Sequence, residues 1–181
     1  MERIFALIAV ATMCVTGMAA QSAPGSVISP ADGFNAVLST AESQMMTLVK
    51  TMAAEKYGFA PSQAICVRTF GGLILHVAQA NYIMAARFSG LQPDVDVKSL
   101  AELKTKDEIN AALAASFAFL HKAIGTLTID NAFQSAGSTS RVVTVAATLA
   151  HTSDEYGQMV EYLRMNGVTP PSSGAPAPPK K

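Results

Sequence analysis

The sequence has few charged residues and no concentration of charge of one sign. Only 14% of the residues are charged, equal numbers of acidic and basic side chains give a formal net charge of zero, and no basic cluster occurs apart from Lys180 and Lys181. Proteins that bind nucleic acid usually gather Lys and Arg on one face. We therefore expect no DNA or RNA partner.

Cysteine and long apolar runs are also scarce. The two cysteines are Cys14 and Cys66, and Cys14 falls in an amino-terminal segment that we expect to be removed, so the mature chain should form no intramolecular disulfide. Cys66 lies between Ile65 and Val67, which predicts a buried, unreactive side chain. No later apolar run reaches the roughly 18 residues of a membrane-spanning helix, so we expect no membrane span after that removal.

The amino-terminal segment has the pattern of an export signal. Arg3 supplies a positive charge, residues 4–15 form an uninterrupted run of small and apolar side chains, and small residues continue to Ala19 and Ala20. These parts in this order are typical of a signal peptide that is cleaved, whereas an uncleaved membrane anchor would need a longer run. We predict a signal peptide over residues 1–20, a linker over 21–31, and an exported protein, periplasmic or extracellular.

The carboxyl end has a composition that does not form a core. From Pro170 the sequence reads PPSSGAPAPPKK, in which Pro, Ser and Gly leave few side chains to bury. We predict a disordered tail over residues 169–181. The remaining residues, 32–168, are expected to form a single domain large enough to bury a good hydrophobic core.

Between the two ends, apolar residues recur at spacings of three and four, which is the period of an α-helix. This pattern predicts helices over about 33–54, 67–88, 105–124 and 141–165, with no convincing strand and no internal repeat. The clearest start signal is Thr105 with Glu108, which have the spacing of a capping box. We therefore predict an all-α four-helix bundle, with the polar segment 126–140 long enough to cross along the bundle.

The fourth predicted helix has three distinct faces. At about 100° per residue, one face is apolar and should belong to the core, and a second carries charged side chains suited to water. The third face is polar with almost no full charges, which is typical of the wall of a water-filled pocket. It consists of Thr144, Thr148, His151, Glu155, Gln158 and Tyr162. His151 and Glu155 are four residues apart, a spacing that suits either a shared zinc, iron or nickel ion or an ordinary surface contact.

The other two histidines are ambiguous by themselves. His76 lies at the edge of the apolar face of the second helix, where a lone histidine is more often part of the core than a metal ligand. His121 lies near the edge of the apolar face of the third helix and has no acidic or imidazole neighbour three or four residues away. We therefore interpret His121 as structural.

Three segments resemble the DinB-like proteins, specifically the exported kind. They are AEKYGFAP at 54–61, FGGLILHVAQANYIMAA at 70–86 and LAHTSDEYGQMVEYLRMNGVTPPSS at 149–173. Together with the helix pattern, the resemblance covers nearly all of the mature chain. It implies an up-down-down-up bundle, with a metal site formed by one histidine of the second helix and an H-x-x-x-H motif of the fourth.

Carried over to this sequence, the resemblance implies that His76 and His151 are metal ligands. Glu155 occupies the position of the third histidine, because the motif here is HTSDE. Two histidines and one glutamate are a known ligand set of catalytic zinc, so we expect a divalent metal, zinc first and nickel or iron as alternatives. Three protein ligands leave a position open for water or a substrate oxygen. No other carboxylate or histidine is an evident general base, so the catalytic residues are left unassigned.

Three functions are consistent with these residues. A metal-dependent hydrolase of unknown substrate agrees with an open metal site and with the hydrolytic members of the family. A non-catalytic bundle, which has lost the metal and binds a small ligand or is only structural, agrees with Glu155 in the third position. A thiol-dependent S-transferase also agrees with the resemblance, but its thiol is a cytosolic compound, which export disfavours. We expect a small molecule as the partner, and the sequence leaves formation of a homodimer open.

Overall fold

The computed structural model describes residues 27–171, and its helices form the predicted all-α bundle. The predicted signal peptide, most of the linker and most of the tail lie outside the described residues. The helices are α1 Pro30–Thr51, α2 Phe70–Ser89, α3 Lys106–Ile124 and α4 Arg141–Met165. Two 3-10 turns, Ala54–Lys56 and Ser99–Glu102, and two short strands, β1 Ser135–Ala136 and β2 Thr139–Ser140, complete the secondary structure of the described part.

The middle helices α2 and α3 lie side by side and run in the same direction. Near their amino ends Gly71 of α2 faces Ile109 of α3, and further along the Asn81 amide donates a hydrogen bond to the Ser116 hydroxyl (3.1 Å). Parallel neighbours cannot be joined by a tight turn. The chain therefore crosses the length of the bundle between them, in residues 90–105.

The outer helices run against this middle pair. The ammonium group of Lys106, at the start of α3, donates to the Met52 carbonyl just after the end of α1 (2.7 Å), so α1 and α3 are antiparallel. The Tyr162 hydroxyl, near the end of α4, donates to the Arg68 carbonyl just before α2 (3.1 Å), so α2 and α4 are antiparallel. The order is up-down-down-up, as the resemblance implied, and α2 and α4 are neighbours.

The segment between α3 and α4, residues 125–140, does not cross the bundle as its length had suggested. Because α3 and α4 run in opposite directions, it joins them at one end, where β1 and β2 pair as an antiparallel hairpin. Gly137 adopts a φ of +80° there, and a Cβ at this position would lie 3.1 Å from a guanidinium nitrogen of Arg87. The positive φ favours glycine here, and the Arg87 guanidinium packs closely over the space that glycine leaves.

Local end signals set the helix boundaries. In α3 the capping box is present: the Glu108 N–H donates to the Thr105 hydroxyl (3.3 Å), and the Thr105 N–H donates to the Glu108 carboxylate (3.1 Å). Helix α1 begins at Pro30, earlier than predicted, because the Ser29 hydroxyl caps it by accepting a hydrogen bond from the Asp32 N–H. Apolar residues at spacings of three and four along α3 are all buried: Ile109, Leu113, Phe117, Leu120 and Ile124.

The prediction of a buried Cys66 is wrong, because this residue is exposed. It has a φ of 72° in the loop before α2, so the chain turns sharply there and the helix starts only at Phe70. At the other end, the first residues of the predicted tail are ordered against the bundle, and Pro170 is buried. None of the helices in residues 27–171 has the length and apolarity needed to cross a membrane.

Candidate metal centre

The three residues predicted as metal ligands lie together between α2 and α4. The rings of His76 and His151 meet edge to face, with centroids 5.0 Å apart and planes at 87°. Glu155, one helical turn beyond His151, places its Oε1 3.4 Å from His76 Nε2 and 3.7 Å from His151 Nδ1. One ligand atom from each residue lies within 4.8 Å of the others. The antiparallel packing of α2 against α4 thus brings these side chains close enough to hold a metal ion.

The separations suit a small divalent ion. Tetrahedral zinc with bonds of about 2.0–2.1 Å holds neighbouring ligand atoms roughly 3.4 Å apart. The distances from Glu155 Oε1 to the two imidazole nitrogens, 3.4 and 3.7 Å, are close to this value. Small side-chain movements would complete the coordination, and three protein ligands leave a position for water or a substrate oxygen.

Burial of Glu155 gives a second reason to expect a cation here. Glu155 is only 5% exposed, and its Oε2 is buried with no hydrogen-bond partner in the described part of the chain. His151 Nε2 is likewise buried and without a partner. A buried carboxylate oxygen without a donor is costly, and binding a cation removes much of that cost. The donor set therefore fits a divalent metal.

The electrostatics of the site favour the neutral form of His76. Burial lowers the pKa of His76 below its ordinary value of 6.5, and the positive charges of Arg68 and His151 lower it further. Burial raises the pKa of Glu155 above 4.5, an effect that the charge of His151 opposes. A neutral imidazole offers the lone pair that a metal requires. His76 is therefore in the ligating form at neutral pH.

Most of the polar face of α4 is a buried seam, and only Thr148 and His151 of this face line a cleft. Thr144, Thr148 and Thr152 are buried against the rest of the bundle. Each hydroxyl donates to the carbonyl four residues earlier, at 2.8 to 3.0 Å, so no hydroxyl needs water. Tyr162 is also buried, whereas Gln158 is exposed and donates to Asp154. The prediction of a pocket wall therefore holds for Thr148 and His151 alone, because packing against the bundle covers Thr144 and Tyr162.

A cleft of about 310 Å³ opens beside the two imidazoles. It lies in the groove between α2 and α4, on the side of the histidines towards Met84 and Thr148. Its lining consists of His76, Gln79, Ala80, Ile83, Met84, Thr148 and His151. A volume of this size is at the lower end of the range for small-molecule sites. A molecule bound there would contact both histidines.

Sequence reasoning missed Arg68, a residue whose charge acts on the site. Arg68 is exposed in the loop before α2, and its carbonyl accepts the hydrogen bond from Tyr162 (3.1 Å). Besides burial, its positive charge contributes to the lowered pKa of His76, and it opposes the rise in the pKa of Glu155. A loop residue has no helical period to reveal which side chains it approaches, so no signal in the sequence could have found it.

His121 has the structural role that we had predicted. Its Nδ1 lies 2.7 Å from the Asn35 amide oxygen, and its Nε2 lies 3.0 Å from the Glu42 carboxylate. Both partners belong to α1, so His121 ties α3 to α1 and takes no part in the cluster between α2 and α4.

Comparison with known proteins agrees with this architecture. No protein-family model and no curated protein matches the sequence. The structure is similar to the crystal structure of a DinB-like protein from Bacillus cereus, with a TM-score of 0.65 and 15% sequence identity over 77% of this chain and 94% of that one. The fold is DinB-like. At this identity the likeness shows the fold alone, and it confirms the bundle that the sequence resemblance implied.

Proposed function

We propose that the protein is an exported, metal-dependent hydrolase of a small molecule, with a divalent ion held by His76, His151 and Glu155. The observation that carries this proposal is the convergence of three ligand groups from two helices at the wall of a cleft of small-molecule size. Zinc is the first candidate because two imidazoles and a carboxylate form a catalytic zinc ligand set. Nickel and iron accept the same donors.

A bound divalent ion would supply Lewis acidity, which lowers the pKa of water and polarises a carbonyl group. The chain's own residues position the reaction. His76 and His151 would hold the ion at one wall of the cleft, which places the reacting end of the substrate there, and buried Glu155 leaves one net positive charge on a site with two neutral imidazoles. In hydrolysis the oxygen of water bonds to the acyl carbon, the bond to the leaving oxygen or nitrogen breaks, and that atom takes up the proton.

Elemental analysis of the purified mature protein tests the metal site. We expect about one divalent ion per chain in the wild type, a large loss in His151→Ala, and retention in Glu155→His. His121→Ala is the matched control, since the side chains of His121 and His151 are similarly exposed, at 28% and 31%.

Two results would contradict the metal proposal in different ways. Substoichiometric metal in the wild type that only Glu155→His restores would exclude a metalloenzyme. Equal metal contents in the wild type and His151→Ala would exclude the assignment of ligands. Loss of metal in His121→Ala as well would point to general unfolding of the variants.

Hydrolysis is tested with neutral esters such as 4-nitrophenyl acetate and 4-nitrophenyl butyrate. The zinc-loaded wild type should hydrolyse them faster than His151→Ala, and a chelator should abolish the difference until zinc is restored. Equal rates in both proteins for every ester would count against hydrolysis at this site.

The lining of the cleft favours a second candidate, a non-catalytic protein that binds a small ligand. Apart from the two histidines, none of the lining residues can ionise near neutral pH, so none is available as a general base. A metal-loaded protein that binds ligands in the cleft and hydrolyses no ester would support this candidate over the hydrolase.

The proposal that the protein is exported rests on the sequence of residues 1–20, which lie outside the described residues. We expect secretion to yield a chain that begins at Ala20 or Gln21, because small residues precede both bonds. Mass spectrometry of the periplasmic or secreted fraction measures this directly. An intact chain starting at Met1 and retained in the cell would contradict export.

A further inference from the structure

We infer that the substrate is an uncharged small molecule with an apolar body and a single metal-coordinating oxygen group. The body would lie in the cleft against Ala80, Ile83 and Met84, and the oxygen would face His76 and His151. The inference about the oxygen group rests on the proposed function of the metal site. The inference about the apolar body rests on the cleft alone and can be tested without a metal.

Gln79 and Thr148, the polar side chains of the cleft besides the two histidines, each use a donor within the protein. The Gln79 amide donates to the Val97 carbonyl (3.1 Å), and the Thr148 hydroxyl donates to the Thr144 carbonyl (2.8 Å). A polar ligand body would lose its hydrogen bonds to water and could gain at most one donor from these two residues, the second N–H of Gln79. Such uncompensated burial of a polar group is unfavourable.

Among residues 27–171 no charged side chain lines this cleft, since its wall there contains no Asp, Glu, Lys or Arg. Arg68 precedes the first residue of α2, whereas the cleft extends towards Met84 near the other end of that helix. A second cleft of about 360 Å³ shows the contrast, since Asp94 and Lys122 line it and provide both signs of charge. Away from the metal end, the cleft therefore offers no charged partner to the body of a nucleotide, a sugar phosphate or a charged peptide.

The walls of the cleft are suited to an apolar occupant. Ile83 is 57% exposed at the cleft although it is large and apolar. Beside it, Ala80 and Met84 are half-buried, and the flexible methionine side chain can adapt to different shapes. Covering these residues removes apolar surface from water, which favours binding. At about 30 Å³ for each atom-sized unit, the volume admits a body of roughly ten non-hydrogen atoms.

A series of alkyl hydroxamates tests the inference on the zinc-loaded mature protein. Acetohydroxamate, butanohydroxamate and hexanohydroxamate share one chelating group and differ only in the length of the apolar body. Isothermal titration calorimetry should show affinity rising up to about fourfold for each buried methylene until the cleft is filled. A hydroxamate of the same length as the longest, ending in a carboxylate, should bind more weakly than hexanohydroxamate. Equal affinities along the series, or tighter binding of the charged compound, would overturn the inference.

Two variants place the apolar body in the cleft. Ala80→Phe should fill the cleft, so that hexanohydroxamate binds no more tightly than acetohydroxamate. Ile83→Ser removes one apolar wall and should weaken hexanohydroxamate alone. Val37→Ser is its matched control, because Val37 lies on α1 and is 54% exposed against 57% for Ile83. Equal effects of Ile83→Ser and Val37→Ser would contradict the assignment of this wall.

A neutral fluorescent probe separates failure of this inference from failure of the proposed function. Naphthalene has ten carbon atoms, which matches the volume of the cleft, and it has no charge and no metal-binding group, so its fluorescence reports the cleft in metal-free protein. If the probe binds the wild type and Ala80→Phe abolishes this binding, the result supports the apolar cleft. If the same protein holds no zinc, only the proposed metal chemistry fails. Zinc binding together with no binding of the probe and no dependence on chain length would overturn this inference and leave the metal site intact.

Discussion

Glu155 combines a candidate function with a cost to stability. Its carboxylate is buried, one oxygen has no partner in the described residues, and burial raises its pKa above 4.5. A raised pKa means that the folded protein disfavours the charged form. The stability of the metal-free protein should therefore fall as the pH rises from about 4.5 through the raised pKa. A cation bound beside Glu155 would reverse this, because it requires the charged form.

Glu155→Gln should stabilise the metal-free protein at pH 7 and destroy metal binding. Glutamine keeps the shape of the side chain and removes the buried charge, so we expect the free energy of unfolding to rise by about 1 kcal/mol. Urea denaturation in the presence of a chelator measures the change. Asp154→Asn, at the exposed neighbouring position, is the control and should change little. A lower stability of Glu155→Gln would show that the charge is already compensated within the protein.

Among the connecting elements, the segment between α1 and α2 is fixed by Tyr57. Its hydroxyl lies 2.7 Å from the Val49 carbonyl of α1 and 3.0 Å from the Asn110 amide oxygen of α3. Its ring meets Phe70 of α2 edge to face at 5.3 Å. One side chain thus joins three helices, and burial raises its pKa to about 12.

The raised pKa of Tyr57 predicts a specific loss of stability at alkaline pH. The unfolded chain ionises this residue near pH 10 and the folded chain near 12, so the contribution is complete below pH 10 and is lost as the pH rises to about 12. Tyr57→Phe should be less stable than the wild type at pH 8, by about 1 kcal/mol for the lost hydrogen bond. The difference in Tm should shrink above pH 10. Parallel curves for the two proteins from pH 8 to 12 would contradict the prediction.

Elements that depend on neighbouring residues could be predicted from the sequence, and those that depend on distant packing could not. The capping box of Thr105 and Glu108 needs only a spacing of three, and the predicted bounds of α4 match the structure. The exposure of Cys66 depends on a left-handed backbone turn that its apolar neighbours do not reveal. The position of the crossing connection depends on which helices are neighbours. The length of segment 126–140 did not indicate this, and the connection that crosses the bundle is residues 90–105.

The candidate site shows the same division at the scale of the whole molecule. The spacing of His151 and Glu155 within one helix is local, and the sequence sufficed to pair them. His76 comes from another helix, and only the resemblance suggested that it meets them. The burial of Thr144 and Thr148 depends on contact across the bundle, and a polar stripe on α4 fits a water-filled wall and a buried seam equally well.

Metal should stabilise the whole bundle, because the proposed ligands lie on two different helices. Zinc at about 100 times its Kd should add about 2.7 kcal/mol to the free energy of unfolding, which for a domain of this size is a rise in Tm of roughly 8–12 °C. Differential scanning calorimetry with and without zinc measures the shift. His151→Ala should lose the shift and His121→Ala should keep it. Equal shifts in both variants would show that zinc binds elsewhere.

The placement of His76 and His151 on α2 and α4 also has a consequence for the unfolded chain. An ion that held both would close a ring of about 75 residues. Closing such a ring costs the unfolded chain roughly 4 kcal/mol of chain entropy, whereas the folded bundle already holds the two rings together, so the ion should bind the folded chain much more tightly. Disulfides commonly provide such closures in exported proteins, but the mature chain is expected to keep a single cysteine. A ring closed by a metal ion contains no disulfide for a thiol reductant to break, and it would open with acid or a chelator. His76, His151 and Glu155 would then have two roles. With the ion they would close the ring between α2 and α4, and they would also form the site at which the substrate binds.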